Sequence, residues 1–328
     1  MPLIDAHART VTYLRLSVTD RCNMRCMYCM PAEGLRWAPS ETLLQDDEIV
    51  TLVQEVFVPL GVSRIRLTGG EPTVRQGLPG LIARIARIDG IEDISLSTNG
   101  SLFAPHAQAY RDAGLRRINV SLDSLQPERF AAITRGGQLP RVLAGLDAAL
   151  RVGLDAVKVN VVVIPGTNDD EVLDFAALTR EKALHVRFIE MMHVGDRRFS
   201  EAKGFADAAA LEAQVRDAFG LAPAPDAVLG NGPAVVMRIP GAAGTVGFIS
   251  PMSRTFCHAC NRLRLTADGQ IKACLMRPQE VDLLGALRRG EPIERLQAMV
   301  MQSLTFKPLH HEWGADQPIH RTMSQIGG

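Results

Sequence analysis

Six cysteines stand in two groups of three: Cys22, Cys26 and Cys29 towards one end of the chain, Cys257, Cys260 and Cys274 towards the other, and none between. Their spacings are C-x3-C-x2-C and C-x2-C-x13-C. Thiolates are soft ligands that suit iron–sulfur clusters and zinc. Each group offers one thiolate fewer than the four that close an ordinary cluster or structural zinc site. A missing protein ligand leaves one metal position open, which a catalyst needs and a pure electron carrier avoids. Zinc remains open for both groups on the residues alone. The first could be a zinc knuckle that borrows a ligand from elsewhere. The second could be a zinc ribbon, with His258 the nearest fourth ligand. A secreted disulfide framework is a short, cysteine-dense chain, whereas this one has 328 residues.

The elements that must carry these cysteines are legible in the hydrophobic pattern. Strands are expected at residues 11–18, 63–68, 93–98, 117–121, 156–163 and 185–190. Helix-like stretches follow at 46–60, 76–87, 105–113, 141–152, 169–180 and 206–219. In the first of these, Ile49, Val50, Val53, Val56, Phe57 and Leu60 form one helical stripe. Serial β–α units imply a parallel sheet with right-handed crossovers. Two more units would complete an eight-stranded barrel. The expectation is therefore an α/β fold: a partial six-unit (β/α) barrel, open on one side, with a small C-terminal cluster-binding domain. The first triplet then sits in the loop after the first strand. Residues 221–244 are rich in Pro, Gly and Ala and read as a connecting region between a core at 1–220 and a C-terminal unit at 245–328. In that unit Asp268-Gly269 separates two short strands, 263–266 and 270–273, a hairpin signal. Helices are expected at 283–289 and 293–302.

Composition narrows the classes further. Lys+Arg and Asp+Glu are both 36, and the pI is near 7.1, which argues against a basic nucleic-acid binder. The 46% hydrophobic content can bury a core. No stretch approaches the ~18 apolar residues of a membrane span, and residues 1–10 lack the apolar core of a signal peptide. A soluble, cytoplasmic protein is expected.

The first triplet, with an aromatic residue (Tyr28) just before its last cysteine, resembles the signature of the radical S-adenosylmethionine (SAM) enzymes. Gly69-Gly70-Glu71-Pro72, after the second strand, is similar to that family's motif for the SAM amino group. The run from Cys257 to Cys274 closely resembles the GTP 3′,8-cyclases of molybdenum-cofactor biosynthesis, a resemblance that extends from Leu14 to the final Gly327-Gly328. It implies two [4Fe-4S] clusters, one on Cys22, Cys26 and Cys29, which chelates and reduces SAM, and one on Cys257, Cys260 and Cys274, which meets the guanine of GTP. The implied reaction is abstraction of the C3′ hydrogen of GTP by a 5′-deoxyadenosyl radical. Attack on C8, an electron and a proton then give 3′,8-cyclo-7,8-dihydro-GTP.

The same resemblance assigns Tyr28, Gly70, Ser121 and Met192 to SAM. It assigns Arg15, Arg66, Ser97, Lys158, Arg262, Leu263 and Arg264 to GTP. Two departures are visible: serine at 97, where the family usually has threonine, and Met191-Met192-His193 in place of a Leu-Met-Pro-type run. The residues support part of this independently. G-x-x-x-x-G-K-[ST] and G-x-G-x-x-G are both absent, so phosphate must be held by side chains. Guanidinium forks suit phosphate oxygens. Arg262 and Arg264 alternate about Leu263 and so face one way on a strand. Arg15 and Arg66 lie inside strands, where a charge needs a partner, either phosphate or a buried carboxylate. No side-chain nucleophile or base is required for the first step. Arg15, Arg262 and Arg264 are candidate electrostatic groups.

Further expectations are an electron donor such as flavodoxin or ferredoxin, a following pathway enzyme that takes the product, and a homodimer. No nucleic-acid or membrane partner is expected. Another radical SAM enzyme with an auxiliary cluster, an iron–sulfur electron carrier and a zinc-stabilised binding module are the alternatives. The tail at 321–328 is expected to reach the barrel mouth, where Gly327-Gly328 could pass without a colliding Cβ.

Overall fold

The computed structural model describes residues 2–194, 197–227, 232–310 and 321–327. Among the described residues, twelve strands form one sheet. In chain order they are β1 (Tyr13–Ser17), β2 (Arg64–Thr68), β3 (Asp93–Thr98), β4 (Arg117–Ser121), β5 (Ala156–Val163), β6 (Leu184–Glu190), β7 (Ala222–Pro223), β8 (Val235–Arg238), β9 (Thr245–Ile249), β10 (Arg262–Leu265), β11 (Gln270–Lys272) and β12 (Val281–Asp282). Strands β1 to β6 are the parallel units expected, in sequence order.

The C-terminal segment builds no separate sheet. Strand β10 pairs parallel with β1, and β9 pairs parallel with β6, so the segment extends both edges of the core. Antiparallel β11–β12 and β8–β7 then cover the outer margins. Two additional parallel strands are thus present, but they come from the cysteine-bearing end rather than from further β–α units. Strands β7 and β8 fall in the stretch that reads as a connector.

The strands alternate strictly, and this creates two different layers. Leu14, Leu16, Ile65, Leu67, Leu96, Ile118, Val120, Val159, Val186 and Phe188 are buried against the helices. Their neighbours point the other way and are polar: Arg15, Arg66, Ser97, Asn119, Lys158 and Arg187. The apolar core is therefore the sheet–helix layer, and the concave side is free to be a site. Helices Leu78–Ala86, Ala107–Asp112, Leu139–Arg151, Val172–Glu181 and Ala208–Phe219 match the expected stretches within a few residues. The stripe at 46–60 is helical, but α-helix Asp46–Thr51 widens into a π-turn over Leu52–Phe57. Helix Pro127–Thr134 was not expected: eight residues are too few for a periodic signal.

Candidate active site

All eight parallel strands contribute to one cavity of about 350 Å³, through Arg15, Arg66, Ser97, Ser121, Asn160, Arg187, Ile249 and Arg262. All six cysteines line it too, although the triplets lie more than 220 residues apart in sequence. Pairing of β10 with β1 is what brings them together.

The first triplet rides on the loop after β1, which is tied down from three sides. Gly70 N donates to Thr19 O at 2.8 Å and Glu71 N to Arg21 O at 2.7 Å. A Cβ on Gly69 would stand 2.6 Å from Thr19 O, and one on Gly70 2.3 Å from Arg21 O. The glycines are thus required by the close approach of two loops, in addition to any ligand that Gly70 meets. Glu71 does not reach into the cavity as a free carboxylate. It accepts from Thr73 N at 3.0 Å, Thr98 Oγ1 at 2.6 Å and Asn99 N at 2.6 Å, pinning the end of β3. On the other side Arg25 N and Met27 N donate to Thr134 O and Ile133 O, both at 3.0 Å. Tyr28 OH donates to Asp123 Oδ2 at 2.7 Å, and Val162 N donates to the other oxygen at 2.9 Å. Burial pushes Asp123 up to about 6.

Burial also pushes the Cys22 thiol up to about 11, with Glu71 adding to it. Burial and the neighbouring Cys22 push Cys29 up to about 12. Cys26 is raised as well, by burial and Cys29. Buried thiols beside two carboxylates hold their protons until a metal displaces them.

The second triplet has different surroundings. Cys257 opens a single turn whose Cys260 N donates to Cys257 O at 3.1 Å, and Cys274 follows β11. Lys307 Nζ lies 3.1 Å from Cys260 Sγ. Burial alone would raise Cys260, but Arg262 and Lys307 outweigh it and draw the thiol down to about 6. Arg9 Nη1 donates to Cys257 O at 2.6 Å.

Between the triplets the floor is cationic. Arg264, Arg15 and Arg66 sit side by side in the registers of β10, β1 and β2. Arg66 Nε donates to Ser95 Oγ at 3.3 Å, and its guanidinium lies 5.4 Å from the Tyr13 ring centroid. Arg262 lies 5.0 Å from the Phe256 ring. Burial and then Arg264 and Arg66 push Arg15 well below its ordinary value, and its Nε has no hydrogen-bond partner. Burial and Arg262 bring Arg264 to about 10, and burial and Arg66 bring Arg187 to about 9. An arginine stays charged, so this crowding is a standing cost that a bound anion would relieve.

The cavity gathers Tyr28, Gly70, Ser121, Met192, Arg15, Arg66, Ser97, Arg262 and Arg264, all expected from the sequence, but neither Lys158 nor Leu263. Leu263 is wholly buried in the sheet–helix layer because it alternates with the two arginines. Lys158 is buried on the concave face of β5, between Asn119 and His185 in register, without lining the cavity; burial and then Arg187, Arg117 and Arg66 push it down to about 6. Arg187, Lys307, Arg9 and Asp123 were missed. Arg187 carries the signal that marked Arg15 and Arg66, an arginine inside a strand. Lys307 and Arg9 carry none.

The described part of the tail enters the cavity. Arg321 pairs with Asp268 and Glu280, each at 2.8 Å. Ser324 hydrogen-bonds to the Cys29 sulfur, and Ile326 is buried. Gly327 has φ +77°, and a Cβ there would stand 2.5 Å from Thr68 Oγ1. Trp313 and Gly328 lie outside the described residues.

The chain matches the Radical SAM superfamily over residues 16–179 and the Molybdenum Cofactor Synthesis C family over residues 184–313. It is 47% identical over 326 residues to a GTP 3′,8-cyclase of Moorella thermoacetica, covering 99% of each chain. With the GTP 3′,8-cyclase of a Nostoc species it shares 50% over 328 residues, covering 97% of this chain and 99% of that one. The chain belongs to the GTP 3′,8-cyclase family. Among solved structures, Streptococcus suis SuiB bound to S-adenosylmethionine superposes with a TM-score of 0.57 at 14% identity, covering 89% of this chain and 69% of that one. At that identity the likeness speaks for the shared fold. Membership of the radical SAM superfamily implies a 4Fe-4S cluster and SAM. The first triplet suits such a group by its donor chemistry: three half-buried thiols that line the cavity, with Met24 N 3.4 Å from Cys22 Sγ. No helix among the described residues is long and apolar enough to cross a membrane.

Proposed function

We infer that the protein is a radical SAM GTP 3′,8-cyclase of molybdenum-cofactor biosynthesis, the activity for which its relatives are named. One observation carries the reading beyond its family: two open-sided cysteine triplets and a strip of arginines face a single cavity. In this proposal Cys22, Cys26 and Cys29 hold one [4Fe-4S] cluster and Cys257, Cys260 and Cys274 a second. The first cluster with SAM supplies, when bound, the 5′-deoxyadenosyl radical for hydrogen abstraction at C3′ of GTP.

The chain's own residues bind, orient and shield. Gly70, Ser121, Tyr28 and Met192 lie around the first triplet and form the SAM end. Arg15, Arg66, Arg262 and Arg264 take the triphosphate, and Ser97 offers a hydroxyl between the two. The crowded guanidiniums and the unpartnered Arg15 Nε support that assignment. Lys158, pushed down to about 6 on the concave face of β5, would take up a proton as the triphosphate binds, and Leu263 has only its main chain to offer. The tail closes the mouth and limits water, which matters for a radical. The core 1–220 supplies the SAM end together with Arg15, Arg66 and Ser97, and the C-terminal unit 245–328 adds the second triplet, Arg262 and Arg264. A reductant such as flavodoxin or ferredoxin, a following enzyme that receives the product, and a homodimer complete the proposal on family resemblance alone.

Anaerobically purified protein should contain about eight irons and as many acid-labile sulfides per chain. With SAM, GTP and a reductant it should yield 5′-deoxyadenosine and the cyclised nucleotide together. Zinc without sulfide would return the zinc-stabilised binding module. 5′-Deoxyadenosine without a nucleotide product would return another radical SAM enzyme.

A further inference from the structure

The second triplet is held by a cation for which no phosphate role is needed. Lys307 is 3% exposed. Its Nζ donates to Arg262 O at 2.7 Å and to Cys260 Sγ at 3.1 Å. A buried ammonium is unfavourable without a compensating charge. Among the described residues, Cys260 is the one partner of Lys307 that can carry a negative charge; its electrostatic neighbours Arg9 and Arg262 are both positive. Arg9 also fixes the geometry. It donates from Nη2 to Lys307 O at 3.4 Å and from Nη1 to Cys257 O at 2.6 Å, while Asp5 holds its Nε at 2.6 Å. The lysine is therefore aimed at one sulfur and locked there from both ends of the chain. Among the described residues the first triplet has no such cation: its sulfurs accept from Met24 N and from Ser324, with carboxylates as their charged neighbours.

We propose that Lys307 is a positioning residue whose ammonium, fixed against the Cys260 sulfur, raises the reduction potential of the second cluster. The inference rests on the two-cluster reading above. A cluster that gains one electron becomes more negative by one charge. A fixed ammonium against a ligand sulfur stabilises that state more than the oxidised one, and hydrogen bonds to ligand sulfurs act in the same direction. The first cluster, without this contact, is unaffected by the lysine.

The test uses the full-length, anaerobically reconstituted protein. Iron and sulfide are counted, and each cluster is titrated by potentiometric electron paramagnetic resonance. The second cluster's signal is the one that survives when Cys22, Cys26 and Cys29 are all replaced by Ala. Lys307→Met should lower that midpoint so that the reduced-to-oxidised ratio at a given potential falls about tenfold, about 59 mV for one electron. Lys307→Gln, which keeps a donor but no charge, should fall between, and Lys307→Arg should restore the wild-type value. The first cluster's midpoint should stay in place throughout. An unchanged second midpoint in a Lys307→Met protein holding both clusters would overturn the inference alone. Loss of the second cluster's iron in both the Met and Gln variants would make the lysine merely structural and would also overturn it. Wild-type protein with the iron of a single cluster would instead overturn the two-cluster reading, and the inference with it.

Discussion

The two triplets share a donor set and differ in what surrounds it. Cys22, Cys26 and Cys29 are half-buried beside Glu71 and Asp123, the two acids that line the cavity among the described residues. Cys257, Cys260 and Cys274 instead have Arg9, Arg262, Arg264 and Lys307 as neighbours. The thiols of the first set are held towards their protonated form, whereas Cys260 in the second is drawn towards thiolate. The cavity is thus polarised along its length. A sulfonium such as SAM is cationic at its reacting atom and suits the acidic end. A triphosphate suits the other. Cysteine count alone makes the triplets look alike; the neighbours distinguish them.

The sharpest way to break this comparison is to remove one triplet at a time. Cys22→Ala should abolish SAM cleavage, measured as 5′-deoxyadenosine. Cys257→Ala should keep that cleavage and lose the cyclised nucleotide. A Cys257→Ala protein devoid of iron would mean that the two ends are not independent.

Next in size is the cationic floor. Arg264→Ala removes a buried fork, and GTP affinity should fall by on the order of 2–5 kcal/mol, measured by anaerobic calorimetry. Guanosine and SAM affinity should barely change. Equal losses for GTP and guanosine would place the phosphates elsewhere.

The tail should matter less than either. Gly327→Ala forces a Cβ against Thr68 Oγ1 at a positive φ, a strain on the order of 1–3 kcal/mol. Cyclisation should fall while iron content and SAM binding hold. Full activity would show that the tail does not dock this way in turnover.

The smallest effect separates the acidic end from ordinary buried polarity. Asp123 is raised by burial to about 6. Its contribution to stability is therefore complete below its unfolded value near 4 and is lost as pH rises through about 6. Metal-free protein should gain on the order of 2 kcal/mol in urea unfolding between pH 7 and pH 4 from this group, and Asp123→Asn should remove that gain. Tyr28→Phe takes away a bond that favours the carboxylate, so it should move the transition to higher pH and cost about 1 kcal/mol. An unchanged pH profile in Asp123→Asn would remove Asp123 as its source.

Much of the scaffold was legible because strict alternation on parallel strands leaves a plain record. Strands β3, β4 and β5 begin and end where the pattern does. Strand β9 was not legible. Thr245-Val-Gly-Phe-Ile carries a central glycine and follows a Pro- and Gly-rich stretch, so its partner β6 determines it more than its own residues do. In the cavity, motif residues were legible because chemistry constrains their type. Lys307 and Arg9 were not: their roles come from tertiary contacts with a distant sulfur and a distant carbonyl, and no local spacing encodes these. Leu263 shows the converse, a residue expected at the ligand whose side chain is turned away by the alternation that presents its neighbours.

The pairing of β1 with β10 also bears on how the chain is made. While the nascent chain leaves the ribosome, Tyr13–Ser17 can gain β2 early but must wait for nearly the whole sequence before Arg262–Leu265 arrives. Until then one margin of the growing sheet offers unpaired N–H and C=O groups, the template on which chains stick to one another. Such distant pairings also form slowly. A chain halted shortly before residue 262 should accumulate as aggregates, and cysteine delivery to the second triplet coincides with the event that ends this vulnerable interval.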